Sequence, residues 1–151
     1  MKIAVGSDHA GFALKERLKA HLQSLGEEVL DLGTDSEESV DYPDYGFAVA
    51  ETVARGEADQ GLLVCGTGLG MSLAANKVDG IRAALCTSVE MAEMSRRHNN
   101  ANILVLGGRT TAPKHAEEIL DTWLRSPFEG GRHQNRLSKI AQYEKRGRKS
   151  S

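Results

Sequence analysis

Small, polar and titratable residues follow four apolar runs of this sequence, and they include most of its candidates for chemistry. The four segments are Ser7-Asp8-His9-Ala10-Gly11, Cys65-Gly66-Thr67-Gly68-Leu69-Gly70, Cys86-Thr87-Ser88 and Gly107-Gly108-Arg109-Thr110. In an open parallel sheet, ligands bind beyond the carboxyl ends of the strands. If the apolar runs are strands of one such sheet, the four loops can converge on one cleft.

Cys65 stands directly before the glycine-rich segment Gly66–Gly70. The backbone amides of such a segment at a helix start can bind an anion or a developing oxyanion. A thiol there can act as a base or nucleophile. Cys86 also follows an apolar run, but only Thr87-Ser88 comes after it, so the three glycines after Cys65 favour Cys65 for this role. The glycine spacing fits neither a dinucleotide fingerprint nor a Walker loop. The alternative for the glycine segment is a tight turn without a ligand, and the alternative for Cys65 is an inert buried thiol.

Three of the five histidines, His9, His98 and His133, lie where a ligand could reach them, whereas His21 and His115 fall among charged residues of predicted helices. Each of the three can instead be a loop histidine that contacts only solvent or backbone. No two histidines have the spacing of metal ligands beside a carboxylate, so we expect no metal site.

Arg132 and Arg136 are four residues apart and follow Gly130-Gly131. On a helix their guanidinium groups would share one face with His133, an arrangement suited to a phosphate dianion. The alternative is a pair of solvated surface arginines beside acidic neighbours. The two glycines, which free the backbone for an unusual approach, favour the phosphate interpretation.

The elements that must position these residues follow from apolar patterning and turn residues. Short apolar runs predict strands at 3–5, 29–32, 62–64, 81–85 and 103–106. Helical periodicity and capping residues predict helices at 12–25, 42–54, 71–78, 89–98, 113–125 and 135–145. Alternation of this kind requires parallel pairing through right-handed crossovers. We predict a single-domain α/β fold, a doubly wound, Rossmann-like, five-stranded parallel sheet with helices on both faces.

Composition limits the possible classes of protein. The 151 residues are 40% apolar and 26% charged with a net charge of -2, which excludes disorder as the main state and gives no overall positive field for nucleic acid or anionic lipid. Two cysteines are too few for a disulfide scaffold, and the N-terminus resembles neither a signal peptide nor a spanning helix. We expect a cytoplasmic protein with one domain, 1–143, and a flexible basic tail, 144–151.

Five segments in order resemble type B ribose-5-phosphate isomerases, whose fold the galactose-6-phosphate isomerase subunits share. The likeness extends from Lys2 to about Glu144. The segments are Ser7-Asp8-His9-Ala10-Gly11-Phe12, Asp41-Tyr42-Pro43, Cys65-Gly66-Thr67-Gly68-Leu69-Gly70 with Ala74-Ala75-Asn76-Lys77, Ser95-Arg96-Arg97-His98-Asn99 and Glu129-Gly130-Gly131-Arg132-His133.

The resemblance implies interconversion of ribose 5-phosphate and ribulose 5-phosphate through an enediolate, without metal or organic cofactor. It implies that Cys65 is the base, that Thr67 and the amides of Gly66, Gly68, Leu69 and Gly70 hold the oxyanion, and that His98 opens the sugar ring. Some members carry a different base, but Cys65 places this sequence with the cysteine type.

The resemblance also assigns residues that bind substrate. Asp8 and Asn99 would bind sugar hydroxyls, and Arg109 would also contact ligand. Arg132 and Arg136 would bind phosphate, with His133 and His9 nearby. The side chains that the resemblance thus implies in substrate binding are Asp8, His9, Asn99, Arg109, Arg132, His133 and Arg136.

The expected partners are a small-molecule sugar phosphate and further copies of the chain, as a homodimer or homotetramer with a shared active site. We expect no nucleic acid and no membrane partner. Two alternatives stay open: an isomerase of a six-carbon aldose phosphate, either allose 6-phosphate or galactose 6-phosphate, and a non-catalytic sugar-phosphate sensor.

Overall fold

Strands and helices alternate along residues 1–148, the part of the chain that this computed structural model describes. The strands are β1 (Lys2–Ser7), β2 (Glu28–Asp31), β3 (Gln60–Cys65), β4 (Ala83–Leu85) and β5 (Ile103–Gly107). The helices are α1 (Phe12–Ser24), α2 (Tyr42–Ala54), α3 (Leu69–Ala75), α4 (Val89–Arg97), α5 (Pro113–Arg125) and α6 (Arg132–Arg148).

The five strands form one sheet in the order β2-β1-β3-β5-β4, and every pair is parallel. All five strands therefore begin at one edge, here called the amino edge, and end at the other, here called the carboxyl edge. Helices α1, α4 and α5 pack on one face and α2 and α3 on the other, around two separate apolar clusters. This confirms the predicted doubly wound α/β fold.

The core depends on aliphatic side chains, since aromatic residues are few. Leu18, Leu62 and Leu104 are fully buried on the face of α1 and α5, together with the Trp123 ring. The Trp123 indole nitrogen donates a hydrogen bond to Gln60 across 3.0 Å, so its one polar atom has a partner. Burying a single leucine side chain contributes about 2 kcal/mol to stability.

Predicted boundaries differ from the observed ones where a left-handed glycine directly precedes a helix. Helix α3 begins at Leu69, not at 71, because Gly68 (φ +85°) provides the left-handed turn directly before it. Helix α6 begins at Arg132 and continues to Arg148. Residues 144–148, predicted to belong to the flexible tail, are therefore helical, and a Glu144 oxygen accepts a hydrogen bond from the Gly80 amide across 2.9 Å. Residues 149–151 lie outside the described residues.

Within residues 1–148, no helix is both long enough and apolar enough to cross a bilayer.

Candidate active site

Cys65 is the last residue of β3 and lies at the carboxyl edge. Its side chain is buried, and its Sγ accepts a hydrogen bond from the backbone amide of Gly68 across 3.2 Å. The left-handed backbone of Gly68 turns this amide toward the sulfur. The loop therefore supplies Sγ with a hydrogen-bond donor from the main chain.

The loop after β5 is hydrogen-bonded to the loop after β3. The amide of Gly108 donates to the Cys65 carbonyl across 2.7 Å, and the amide of Arg109 donates to the Gly66 carbonyl across 2.9 Å. The Arg109 side chain lies against Gly66. Thr67 is exposed, and its Oγ1 accepts a hydrogen bond from the Leu69 amide across 3.2 Å. These contacts place a cation and a hydroxyl beside the sulfur-bearing loop.

The loop after β1 closes the other side of this region. Asp8 is buried, and its Oδ1 accepts a hydrogen bond from the Gly11 amide across 3.0 Å. His9 Nδ1 accepts a hydrogen bond from the Val40 amide across 3.1 Å. When His9 is neutral, its proton therefore lies on Nε2. The backbone contact fixes which nitrogen donates to a ligand.

Tyr42 covers the glycine loop from the side of α2, and the residue roles implied by the resemblance do not include it. A Cβ atom placed on Gly70 would lie 2.5 Å from the Tyr42 ring, so the ring packs directly on the backbone. The one sequence signal for Tyr42 is its place in Asp41-Tyr42-Pro43 at the start of α2.

A second cluster of predicted site residues contains His98 and His133. Their imidazole rings stack with centroids 4.2 Å apart and planes 12° apart. The Glu129 carboxylate lies 3.6 Å from His98 Nε2 and 3.7 Å from His133 Nε2. Burial and the nearby positive charges of His98 and Arg132 lower the pKa of His133, while Glu129 opposes the shift.

His98, Glu129 and His133 place three possible metal ligands within 4.8 Å of one another. The two imidazole planes are nearly parallel, however, so their lone pairs do not converge on one point. The charges of Arg132 and Arg136 also act on His133. A divalent cation needs converging lone pairs and a negative surrounding, so this arrangement fits the sharing of protons better than the binding of a metal.

The two clusters lie at opposite edges of the sheet. Cys65 ends β3 at the carboxyl edge, whereas His98 follows α4 and precedes β5, at the amino edge. The nine residues of α4 separate the edges by about 13 Å. Segment 126–131 lies with His98, because the Glu129 amide donates to the Arg97 carbonyl across 3.0 Å.

The predicted site residues divide between these edges. Those at the carboxyl edge are Asp8, His9, Cys65, Gly66, Thr67, Gly68, Leu69, Gly70 and Arg109. Those at the amino edge are His98, Asn99, Arg132, His133 and Arg136. Cys86 belongs to neither group: it is buried in the core, where burial raises the pKa of its thiol.

Comparison with known proteins identifies the family. Residues 3–140 match the family described as Ribose/Galactose Isomerase. The chain belongs to the ribose/galactose isomerase family. This confirms the resemblance found in the sequence, and the chain is an isomerase enzyme.

Individual members of the ribose/galactose isomerase family align over nearly the whole chain. Ribose-5-phosphate isomerase B of Escherichia coli K12 is 50% identical over 145 residues, which are 96% of this chain and 97% of that protein. The solved structure of Clostridium thermocellum ribose-5-phosphate isomerase B matches with a TM-score of 0.96 and 56% identity, covering 97% of this chain and 99% of that one. A Mycoplasma genitalium ribose-5-phosphate isomerase B, solved with bound ribulose 5-phosphate, matches with a TM-score of 0.91 and 44% identity, over 95% and 96%.

Proposed function

We propose that the protein interconverts ribose 5-phosphate and ribulose 5-phosphate. The single observation that carries the chemistry is the Gly68 amide directed at the buried Cys65 sulfur across 3.2 Å. An aldose–ketose isomerase needs a base, donors for the enediolate oxygen and an anchor for the substrate. In this proposal Cys65 is the base, the amides of the glycine loop are the donors, and Arg132 and Arg136 of α6 are the anchor. The names of the relatives support the pentose phosphate as substrate.

Cys65 is the base in this proposal. Its thiolate takes the proton from C2 of the open-chain aldose, and the electron pair of that bond forms the C1–C2 double bond while O1 becomes an oxyanion. The amides of Gly66 to Gly70 and the Thr67 hydroxyl donate to that oxyanion. The Cys65 thiol then returns the proton to C1, and the O2 hydroxyl proton passes to O1, which leaves the ketose.

His98 opens the sugar ring before the proton transfer. The C1–O4 bond breaks, O4 takes its electron pair and a proton from the His98 imidazolium, and the O1 hydroxyl loses its proton to water, which leaves the aldehyde. Asn99 follows His98 and is exposed beside it, where it can bind a sugar hydroxyl. Asp8, at the carboxyl edge, binds another sugar hydroxyl in this proposal.

Two copies of the chain form each site in this proposal. His98 lies about 13 Å along α4 from the edge that holds Cys65, so one copy alone does not bring both groups to the same substrate. A second copy related by a two-fold axis would present its amino edge, with His98, Arg132 and Arg136, to the first copy's carboxyl edge. The partner thereby supplies the phosphate anchor and the ring-opening acid.

Exposed leucines on α3, the helix that follows the Cys65 loop, support the pairing of two copies. Leu69 and Leu73 are 60% and 67% exposed, and Leu69 lies within the glycine segment itself. Adjacent apolar side chains of this size are more often covered by a partner than left in water. A homodimer, or a tetramer made from two dimers, is therefore the assembly we propose.

The proposal places the enzyme in the cytoplasm, because its base is a free thiol. Cys65 and Cys86 are both unpaired, and a reducing compartment keeps a thiol of this kind available. Neither a metal nor an organic cofactor takes part in the steps above.

An assay of ketose formation from five-carbon and six-carbon aldose phosphates tests the proposed substrate. Ribose 5-phosphate is expected to give the highest kcat/KM. A higher value for allose 6-phosphate or galactose 6-phosphate would overturn the choice of substrate. Thermal stabilisation by these sugars with no ketose from any of them would instead indicate a sensor.

A further inference from the structure

Glu129 lies between two imidazoles and an arginine at the amino edge. One of its oxygens is 3.6 Å from His98 Nε2 and 3.7 Å from His133 Nε2, and the other is 3.6 Å from Arg97 Nη1. Among the residue roles considered so far, none is assigned to this carboxylate. It lies almost equally far from the two nitrogens, so it can interact with a proton on either ring.

The stacked imidazoles cannot easily hold two charges. Their centroids are 4.2 Å apart, and like charges at that distance disfavour double protonation. The other charged groups near the pair are the cations Arg97 on α4 and Arg132 and Arg136 on α6. The charges of Arg132 and Arg136 oppose protonation of His133.

Among the described residues, Glu129 is the carboxylate in ion-pair contact with both imidazoles. Glu93, the nearest acid on α4, hydrogen-bonds to Arg97 instead, across 2.8 Å. Without Glu129, the charges that act on His133 from these residues would all be positive. Glu129 is therefore the group that can interact favourably with a proton on either ring.

The backbone holds Glu129 at this place from both sides. Its amide donates to the Arg97 carbonyl across 3.0 Å, at the end of the helix that precedes His98. Gly130 and Gly131 follow with φ of +69° and +59°, and this left-handed turn brings His133, four residues later, back beside the carboxylate. A Cβ atom at either glycine would meet nothing within 4 Å, so glycine is favoured here by the left-handed backbone conformation and not by a lack of space for a side chain.

We propose that Glu129 is a positioning residue that keeps one proton on the His98–His133 pair and thereby supplies the acid for ring opening. This rests on the proposed function, because it assigns a task to His98 that only a ring-closed sugar phosphate requires. Glu129 itself does not touch the reacting carbons. It acts by setting which protonation state of the imidazole pair meets the substrate.

Two reactions of the same enzyme separate this task from general damage to the site. Isomerisation of ribose 5-phosphate begins with a closed furanose and needs ring opening. Ribulose 5-phosphate has its C5 oxygen esterified and therefore has no furanose form. Exchange of its C1 hydrogen with solvent deuterium needs the base but not the ring-opening acid.

The test compares Glu129→Gln, which keeps the shape and removes the charge, with Glu129→Asp, which keeps the charge. Glu93→Gln is the matched control, since it also removes an acid that contacts Arg97 but leaves the imidazoles untouched. At pH 7 we expect Glu129→Gln to lower kcat from ribose 5-phosphate about tenfold, with KM and deuterium exchange within about twofold. Glu129→Asp should recover part of the loss, and Glu93→Gln should behave as the unchanged protein.

An NMR titration of the imidazole nitrogens supplies a readout that does not depend on turnover. Glu129→Gln should lower the pKa of the first protonation of the pair by about half a unit or more. An unchanged titration, an equal loss in both reactions, or the same loss in Glu93→Gln would overturn the proposal. A further outcome separates this proposal from the proposed function. If the titration shifts but the unchanged protein isomerises no aldose phosphate, the proposed function and the ring-opening task of Glu129 are both wrong. The effect of the Glu129 charge on the two imidazoles would still stand.

Discussion

The backbone amide of Gly68 and the sulfur of Cys65 are joined by a hydrogen bond of 3.2 Å at the end of β3. Three consequences follow for the chemistry. The sulfur is held at the carboxyl edge, its environment contains a main-chain donor, and in the proposed mechanism the same short loop presents further amides to a substrate oxygen. The proposed chemistry therefore depends both on the thiol and on the left-handed turn that aims the amide.

Replacing the thiol tests the proposed base. Cys65→Ala is expected to lower kcat for ribose 5-phosphate by about 10²–10⁴-fold, since a positioned base contributes that much. Binding of the sugar phosphate, measured as a thermal shift, should persist. Cys86→Ala is the matched control: Cys86 is buried away from the site, so its kcat should stay within about twofold. A Cys65→Ala enzyme with nearly normal kcat would remove Cys65 from the mechanism.

Gly68→Ala tests whether alanine fits the left-handed turn that directs the amide at the Cys65 sulfur. Its φ of +85° is strained for alanine, and the new Cβ would lie 2.5 Å from Leu85 Cδ1 and 3.2 Å from the Leu106 carbonyl carbon. We expect the free energy of unfolding to fall by about 2–4 kcal/mol in a urea titration. Gly26→Ala separates the two causes, because Gly26 has nearly the same φ, +84°, with nothing within 4 Å. That control should lose about 1 kcal/mol, and equal losses in both variants would contradict the predicted clash.

Arg132→Ala tests the phosphate anchor. A phosphate contact acts equally in the ground state and the transition state, so KM for ribose 5-phosphate is expected to rise about 10–100-fold while kcat changes little. Arg55→Ala is a suitable control, since Arg55 is exposed and pairs with Glu57, and neither residue belongs to either cluster. The anchor is misplaced if initial-rate measurements show an unchanged KM for Arg132→Ala.

Asp31 carries a prediction about pH and stability. Burial alone would raise its pKa, but hydrogen bonds from Lys15, Gly33 and Lys19 together hold the pKa below its usual value. The folded state therefore favours the charged carboxylate, whose contribution is present above the usual pKa of about 4 and is lost as the pH falls through the lowered value.

Asp31→Asn should destabilise the protein by about 2–4 kcal/mol at pH 7, because it leaves the fully buried Lys15 ammonium without its main partner. Urea titrations at several pH values measure this. The difference from the unchanged protein should shrink as the pH falls from about 4, where the carboxylate of the unfolded chain takes up a proton, through the lower pKa of the folded protein. A difference that stays constant to pH 2 would contradict the assigned cause.

The fold could be predicted from the sequence because local signals agreed with one another. Apolar runs such as Leu62-Leu63-Val64 were bounded by turn residues, and Gly26 ended α1 as its position indicated. The sequence predicts a start of α6 at residue 135, three residues after the observed start at Arg132, because Gly130 and Gly131 indicate a turn without showing that the helix begins directly after it. Helix ends are decided by the conformation of a single residue, and periodicity does not record it.

The site could be predicted less completely. Motifs predicted Cys65 and His98 as candidate site residues. They could not show that the nine residues of α4 hold these two at opposite edges of the sheet, because that separation depends on the direction of each strand and helix. Glu129 was visible in the sequence only as an acid before two glycines. Its contact with two imidazoles depends on a left-handed turn, which only the three-dimensional structure reveals.

Subunit mixing tests the shared site most directly. Cys65→Ala and His98→Asn are each expected to be inactive as pure proteins, and they would be unfolded together in equal amounts and refolded. If Cys65 of one copy works with His98 of the other, half of the dimers are mixed and each has one intact site of two, so about a quarter of the unmixed wild-type activity should return. If each site belongs to one chain, every site carries a defect. A mixture that stays as inactive as its two components, although mixed dimers are present, would contradict the account.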